Sequence, residues 1–593
     1  MSDNQYYDAL AATVRFKDIT SSAHNRALLH RIRNQDPATK HLCISSAENM
    51  GDGKFVVREE DDLGWLGYFI GKNITLTALE IAHLPGGSEQ VVSFFKGVSR
   101  NKTIKTAEFR GDGIADEGEG LSAINMPQVT SIKVYFQPRR DSARSFAMGL
   151  RRCKSLESYY GRLTAEIIDA LGELPLIKSI TSYYNEDELN DDTDNLGKEG
   201  CIALEKLVRN ATRLTDLFLG GVGIGDEGMK SLAAGLVHNT SLKDCYLSNN
   251  NIWDAGVKSL AASLADNIAM QELYLCRNHI GDEGLTFLAS SLVHNHGVRK
   301  LDVSDNSIGD KGLTALATSL ASNRTLRDLY LCRNNIGDTG LVALAESLLQ
   351  NRTLSTLDIS GNTAITEVGL SVLSRVLRSP KCKLESLSLD GLDVGGAVVE
   401  LLGSTLSINK SIVSLELSCG VGSIGLDNDG LRVLAAGLRD NDTLRALDLS
   451  GNTAINATGL SPNQGHANLL FLLGLSINKV CNSRIVAAKL KILYFFPDLD
   501  MTPLFPWNLK FLPLLKDWFR TITFSRSTRS STSYTVEDLL AASIRGKELS
   551  VIYKFVSGMP GLVVRDYRRF LDQQLQMIQA TACMKEVQDH EEY

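Results

Sequence analysis

The run "LYLCRNNIGDTGLVALAESLLQNRT" begins with apolar and polar residues in alternation, Leu329 and Leu331 against Tyr330 and Cys332. It then spaces Leu341, Leu344, Ala345 and Leu348 three and four apart. Alternation at period two is the mark of a short strand with one buried face, and the second spacing draws one apolar stripe along a helix. Asn334 ends the strand, where its amide can bond the turn backbone inside the coil. Asp338 is placed as a helix N-cap, and Asn351 as a helix-ending residue that tolerates the left-handed conformation. The unit is one strand, one turn and one helix.

The unit recurs without slip. Ile224, Ile252, Ile280, Ile308 and Ile336 are each 28 residues apart, with Asp226, Asp254, Asp282, Asp310 and Asp338 in step. Gly228, Gly256, Gly284, Gly312 and Gly340 keep the same interval, as do Asn239, Asn267, Asn295, Asn323 and Asn351. A strand this short and a helix with one apolar face gain stability by stacking on like units, which lines an arc with parallel strands and places helices outside. Gly223, Gly225 and Gly228 spell the G-x-G-x-x-G of a dinucleotide-binding loop. The second copy carries "NNNIWD" at the first two glycine slots, so the position does not demand a phosphate loop, and the glycines belong to the repeat.

The pattern L-x-x-L-x-L-x-x-N at this period resembles the ribonuclease-inhibitor-like class of leucine-rich repeat proteins. That class includes the repeat ends of intracellular nucleotide-binding innate receptors and the Ran GTPase-activating protein. The resemblance implies an α/β leucine-rich repeat solenoid, a horseshoe with a concave parallel β-sheet and outer helices, and protein binding as the commonest activity. It is strongest over 200–452 and loosens where the phase slips, as at Ile365, and upstream, where "ITLTALEIA", "KTIKTAEFR", "VTSIKVYF" and "LIKSITSYY" look like strands of degenerate repeats. The expected organisation is an N-terminal segment or cap over 1–41, degenerate repeats over 42–199 and regular repeats over 200–480. Residues 481–593 are read as a helical C-terminal cap with a mobile Ser/Arg loop near 525–533, the alternative being a separate partner-binding module.

Composition narrows the function. The 593 residues are 43% hydrophobic and 22% charged with a net charge of −7, as expected of a soluble folded chain without a basic nucleic-acid footprint. No apolar run reaches the roughly 20 residues that span a bilayer, and the N-terminus lacks the apolar core of a signal peptide. Ten cysteines without a C-x-x-C pair fit reduced thiols inside a cell rather than zinc, so a cytoplasmic protein is expected. There is no G-x-x-x-x-G-K-[ST], H-E-x-x-H or G-x-S-x-G, so no enzyme, cofactor or metal is expected. The acidic loop 185–195 fails the calcium spacing, because Leu196 stands where an oxygen ligand is needed. Nine N-x-[ST] sequons arise because a helix-ending asparagine precedes the Ser or Thr that enters the next strand.

That leaves a surface. Strands stacked about 4.8 Å apart align their outward residues in columns. The first column reads Asp216, Asp244, Glu272, Lys300, Asp328 and Thr356, the middle one Phe218, Tyr246, Tyr274, Asp302, Tyr330 and Asp358, and the third Gly220, Ser248, Cys276, Ser304, Cys332 and Ser360. Phe218, Tyr246, Tyr274 and Tyr330 are the expected anchors of a protein partner, and Asp216, Asp244, Glu272, Asp302, Asp328 and Asp358 favour a basic one. Glu80 and Glu108 fall in the middle column and are expected to extend the acidic strip. The reading is a non-enzymatic scaffold. Its alternatives are a GTPase activator resembling the Ran activator, whose long acidic tail is reduced here to "KEVQDHEEY", and an innate-type sensor without its own nucleotidase domain.

Overall fold

The computed structural model describes residues 3–449 except 47–52, 59–60, 85–87, 111–119, 137–139, 183–195, 420–424 and 439–440, together with 452 and 489–490. The chain divides into two units, Met1–Ala446 and Leu447–Tyr593. The acidic loop 185–195 lies outside the described residues. So does the expected C-terminal cap with its 525–533 loop, apart from the extended pair Lys489–Leu490.

The first unit is a right succession of coils. Strands β1 (His41–Ser45), β2 (Lys54–Val56), β3 (Ala78–Ile81), β4 (Thr106–Phe109), β5 (Ser131–Val134), β6 (Ser158–Gly161) and β7 (Ser179–Ser182) build its N-terminal part. β8 (Asp216–Phe218), β9 (Asp244–Tyr246), β10 (Glu272–Tyr274), β11 (Lys300–Asp302), β12 (Asp328–Tyr330) and β13 (Thr356–Asp358) follow, then β14 (Ser386–Ser388) and β15 (Ser414–Glu416). Among the described residues from β1 to β15 every pairing is parallel and between successive strands, except that β1 lies between β2 and β3. Helices connect the regular strands on the other layer, among them Gly225–Leu236, Asp254–Leu264, Asp282–Leu292, Asp310–Leu320 and Asp338–Leu348. The core fills the space between. Leu217, Cys245, Leu273, Leu301, Leu329 and Leu357 point inward from the strand centres, and Leu341, Leu344, Ala345 and Leu348 supply the expected helix stripe; all are buried.

At the N-terminal flank, helices Asp3–Leu10 and Ala23–Arg33 lie near Leu63–Lys72, a helix apolar enough that Leu63 to Gly71 are all buried. Tyr7 packs edge-on to Trp65 at 4.8 Å, while Asp8 bonds Tyr68, Lys72 and Arg100, each at 3.0 Å. Hydrogen bonds from Lys72 and Arg100 hold the Asp8 carboxyl down at about 2.

Three recurring residues have roles different from those expected. Asp338 does not cap its own helix; Gly337 is the N-cap and offers no side-chain bond. Each aspartate instead caps the helix of the following coil. Asp282 Oδ1 accepts from Gly309 N and Gly312 N at 2.8 Å, and Asp310 Oδ1 accepts from Gly337 N at 2.7 Å and Gly340 N at 2.9 Å. This explains the glycine in step with it: a Cβ at Gly312 would stand 2.8 Å from Asp282 Oδ1 and 3.0 Å from its Cα. Three N-terminal helices, Ala23–Arg33, Leu63–Lys72 and Ala165–Gly172, are capped from within their own coil, by Ser22, Asp62 and Thr164.

Asn334 reaches beyond its own coil. Its Nδ2 donates to Leu331 O and to Val303 O of the preceding coil, and its Oδ1 accepts from Ile308 N. Asn351 is not left-handed. Its Nδ2 donates to Leu320 O at 2.7 Å and its Oδ1 accepts from Thr353 N and Leu354 N, so it is a second staple between coils. Positive φ falls instead after the third column, at Asn249, Arg277, Asp305, Arg333 and Gly361. The sequon asparagines Asn73, Asn101, Asn239, Asn323, Asn351, Asn409 and Asn441 are buried for this reason, whereas Asn210 is exposed. In the first regular coil, Gly223 and Gly225 have φ of 60° and 58°, and a Cβ on Gly228 would stand 2.3 Å from Ile224 Cγ2. Turn and packing account for all three glycines.

Candidate protein-binding face

The strand register aligns the columns as expected. Asp216 stands opposite Asp244, Asp244 opposite Glu272, Glu272 opposite Lys300, Lys300 opposite Asp328 and Asp328 opposite Thr356. In the middle column the same pairings run Phe218, Tyr246, Tyr274, Asp302, Tyr330 and Asp358. All these residues are half-buried.

Strand spacing is close to the thickness of two stacked rings, and three of the four aromatics use it. Phe218 and Tyr246 stack with centroids 4.2 Å apart at 21°, and Tyr246 and Tyr274 at 3.9 Å and 11°. Their faces cover one another, so inside the stack the rings present edges outward. Tyr330 stands apart from the stack, separated by Asp302 in the register. Lys300 fills the gap: its Nζ lies 4.9 Å from the Tyr274 ring and 5.0 Å from the Tyr330 ring. A continuous ladder results, from Phe218 through Tyr246, Tyr274 and Lys300 to Tyr330. Lys300 is the residue that column reading undervalued, because a cation in an acidic column looks like an interruption until its reach over both rings is seen.

Five of the six carboxylates divide into two groups, and the sixth, Asp328, stands opposite Lys300 in the register. Asp302 and Asp358 turn back on their own strand ends, accepting from Ser304 N and Ser360 N at 2.9 Å. Asp216, Asp244 and Glu272 remain without an ion pair among the described residues. Glu272 accepts from the Tyr274 hydroxyl at 2.6 Å and Asp216 from the Thr215 hydroxyl at 2.6 Å. Burial, then the charges of Glu272 and Asp216, push the Asp244 carboxyl up to about 6. Burial and the bond to Glu272 also raise the Tyr274 phenol. Three like charges at strand spacing make a site that gains by acquiring a cation.

The expected extension of this strip into the N-terminal coils does not occur. Glu80 and Glu108 do pair in register. Yet Glu108 is bonded by Arg110 and Lys133, each at 2.8 Å, and Glu80 is within 3.3 Å of Arg110 and 3.4 Å of His41. Arg110 and Lys133 cancel the strip. In the third column Cys276 lies 2.9 Å from the Ser248 hydroxyl, and Cys276 and Cys332 are both free thiols. Beyond the concave face, Trp253 is 56% exposed and stacks on His279 at 4.4 Å, in the turns that lead into helices Asp254–Leu264 and Asp282–Leu292. Its signal in the sequence was a bulky ring in a slot that is Gly281, Gly309 and Gly337 elsewhere. Among the described residues no cluster of three or more His, Cys, Asp or Glu could hold a metal ion, and no helix is long and apolar enough to cross a membrane.

The family model described as Leucine Rich repeat matches residues 238–261, 267–289, 294–317, 322–345, 350–374 and 440–462. Over these residues the coils are leucine-rich repeats, and they resemble those of ribonuclease inhibitor. They are similar to "NACHT, LRR and PYD domains-containing protein 9" of Bos taurus, 38% identical over 13% of this chain and 7% of that protein. The human protein of the same series numbered 12 is 39% identical over 14% of this chain and 7% of its own length. The "Ribonuclease inhibitor" of Mus musculus is 33% identical over 20% of this chain and 26% of that protein. The matches thus span about a quarter or less of these relatives. A solved chain of "Leiomodin-1 Actin-Binding Site 2 (ABS2)" matches 39% of this chain and 92% of its own at 18% identity and a TM-score of 0.18, too slight a likeness to bear on function.

Proposed function

We propose that this protein is a non-enzymatic intracellular scaffold whose concave face, over β8 to β12, docks a protein with a basic contact surface. The observation that carries this reading is the ring and lysine ladder lying beside three carboxylates that no cation of the described chain neutralises. Stacked rings are stiff, so little side-chain entropy is lost when a partner packs on their edges. Uncompensated carboxylates steer a basic partner toward the same place. Repeat solenoids offer such extended concave surfaces, and the mouse relative's name describes a protein that inhibits a ribonuclease.

The test compares wild type with a Tyr246→Ala, Tyr274→Ala, Tyr330→Ala variant in affinity purification, after circular dichroism shows both equally folded. A basic protein retained by wild type and lost by the variant supports the reading; an unchanged set of retained proteins contradicts it. The similarity to NACHT-containing relatives favours a second reading, an innate-type sensor that works with a nucleotidase on another chain. That reading is tested by whether a nucleotidase-bearing protein co-purifies. The Ran-activator reading requires accelerated GTP hydrolysis by a small GTPase.

A further inference from the structure

The stack of three rings has two ends, and they differ. At the β11 end the Tyr274 ring is covered by the Lys300 ammonium at 4.9 Å, and Glu272 and Asp328 flank that lysine on the neighbouring strands. Ring face and cation together form a closed arrangement, in which the quadrupole of the ring favours the ammonium.

At the β8 end the same arrangement lacks its cation. Phe218 stacks on Tyr246 with one face, and against its other face no ring or cation lies among the described residues. Thr181 stands opposite Phe218 in the register, with a side chain too short to span a phenyl ring. Lys178, just ahead of β7, is committed to Glu157 at 2.8 Å. Asp216, on the same strand as Phe218, accepts the Thr215 hydroxyl and has no ion pair among the described residues. Aromatic face and carboxylate are both in place on one three-residue strand.

We infer that a lysine or arginine side chain of the docking partner occupies this open end, lying on the free face of Phe218 as Lys300 lies on Tyr274 within the chain, and pairing with Asp216. This rests on the proposed docking face and specifies the chemistry of its principal contact. Arginine suits the place better than lysine, since its planar guanidinium can lie flat on the ring while its edge donates two hydrogen bonds to a carboxylate.

The test uses the full chain and a fluorescein-labelled hexa-arginine peptide, read by fluorescence polarisation at low salt. Phe218→Leu keeps the apolar bulk and removes the π face, Phe218→Tyr keeps the face, and Asp216→Asn removes the charge. The expected result is a roughly three- to tenfold weakening for Phe218→Leu and for Asp216→Asn, with Phe218→Tyr within twofold of wild type. Asp358→Asn, a carboxylate bonded to its own strand end, should change affinity less than twofold. The inference is overturned if wild type does not bind the peptide, if Phe218→Leu binds like wild type, or if Asp358→Asn weakens binding as much as Asp216→Asn. If Phe218→Leu binds normally while the triple tyrosine variant does not, the docking face stands and the ladder end is not its anchor.

Discussion

The N-terminal coils and the regular coils run the same sheet and expose the same columns, but they settle their charges in opposite ways. From β3 to β5, Glu80 and Glu108 are matched by Arg110 and Lys133 within the face itself. From β8 to β10, Asp216, Asp244 and Glu272 face one another with no cation between them, and the first lysine of the column, Lys300, is spent on two rings. A sheet that is internally neutral holds itself together; one left acidic beside a stiff ladder is arranged for something outside the chain. The frame, by contrast, is common to both regions. Asn101 in the N-terminal part and Asn323 in the regular part each donate to the preceding coil and accept from two N–H groups of their own.

That division makes the largest prediction. Asn101→Leu and Asn323→Leu should each cost about 3 kcal/mol, because each strands buried backbone donors and a carbonyl. Urea unfolding followed by circular dichroism measures this, and a loss at one site without the other would break the idea of a shared frame.

Capping separates the regions next. Asp282→Ala removes the acceptor for Gly309 N and Gly312 N in the following coil, and should cost about 1 to 2 kcal/mol. Thr164→Ala, which removes the acceptor of Ile167 N in its own helix, should cost about 1 kcal/mol. Hydrogen exchange shows where each loss falls: in the coil after Asp282 for the first, and in helix Ala165–Gly172 for the second.

Smaller again are the charges. Lys300→Met keeps the stem and removes the cation from both rings, at about 1 kcal/mol by thermal unfolding. Arg110→Met should cost at most about 1 kcal/mol, since that pair is partly exposed.

The effect of pH has opposite signs in the two regions. The Asp244 carboxyl is raised to about 6 from an ordinary 3.8, so the folded chain holds that proton more tightly than the unfolded chain. Its contribution is present below about 4 and is lost as pH rises through about 6, and Asp244→Asn abolishes this fall. For Glu108, burial pushes the carboxyl up, but hydrogen bonds from Lys133 and Arg110 outweigh it and leave it lowered. That contribution is present above the ordinary carboxylate range and is lost as pH falls, and Glu108→Gln removes it. Stability measured between pH 3 and 8 for both variants distinguishes the two.

Much of this was legible in the sequence because the repeat imposes its own ruler. Five isoleucines 28 apart set the strand register, and the register places Asp216 beside Asp244 and Phe218 beside Tyr246 without further information. What stayed hidden lay between coils. The sequence places Asp282 next to a helix start but cannot say that its carboxylate serves the next helix. It places Asn351 at a helix end, where either a left-handed turn or a buried staple would suit the residue type. It places Tyr246 and Tyr274 in one column, but stacking at 3.9 Å depends on side-chain rotation, and that decides whether faces or edges are offered. The cancellation of Glu80 and Glu108 is legible in the sequence, since Lys133 shares their column and Arg110 sits two residues after Glu108.

The central claim is that the uncompensated strip, and not the compensated one, receives the partner. The most direct measurement sets Asp216→Asn, Asp244→Asn, Glu272→Gln beside Glu80→Gln, Glu108→Gln, both in the full chain, and compares the affinity of the basic protein retained by wild type. The account predicts a loss of at least tenfold for the first variant and less than twofold for the second. Equal affinities, or a greater loss in the second, would contradict it.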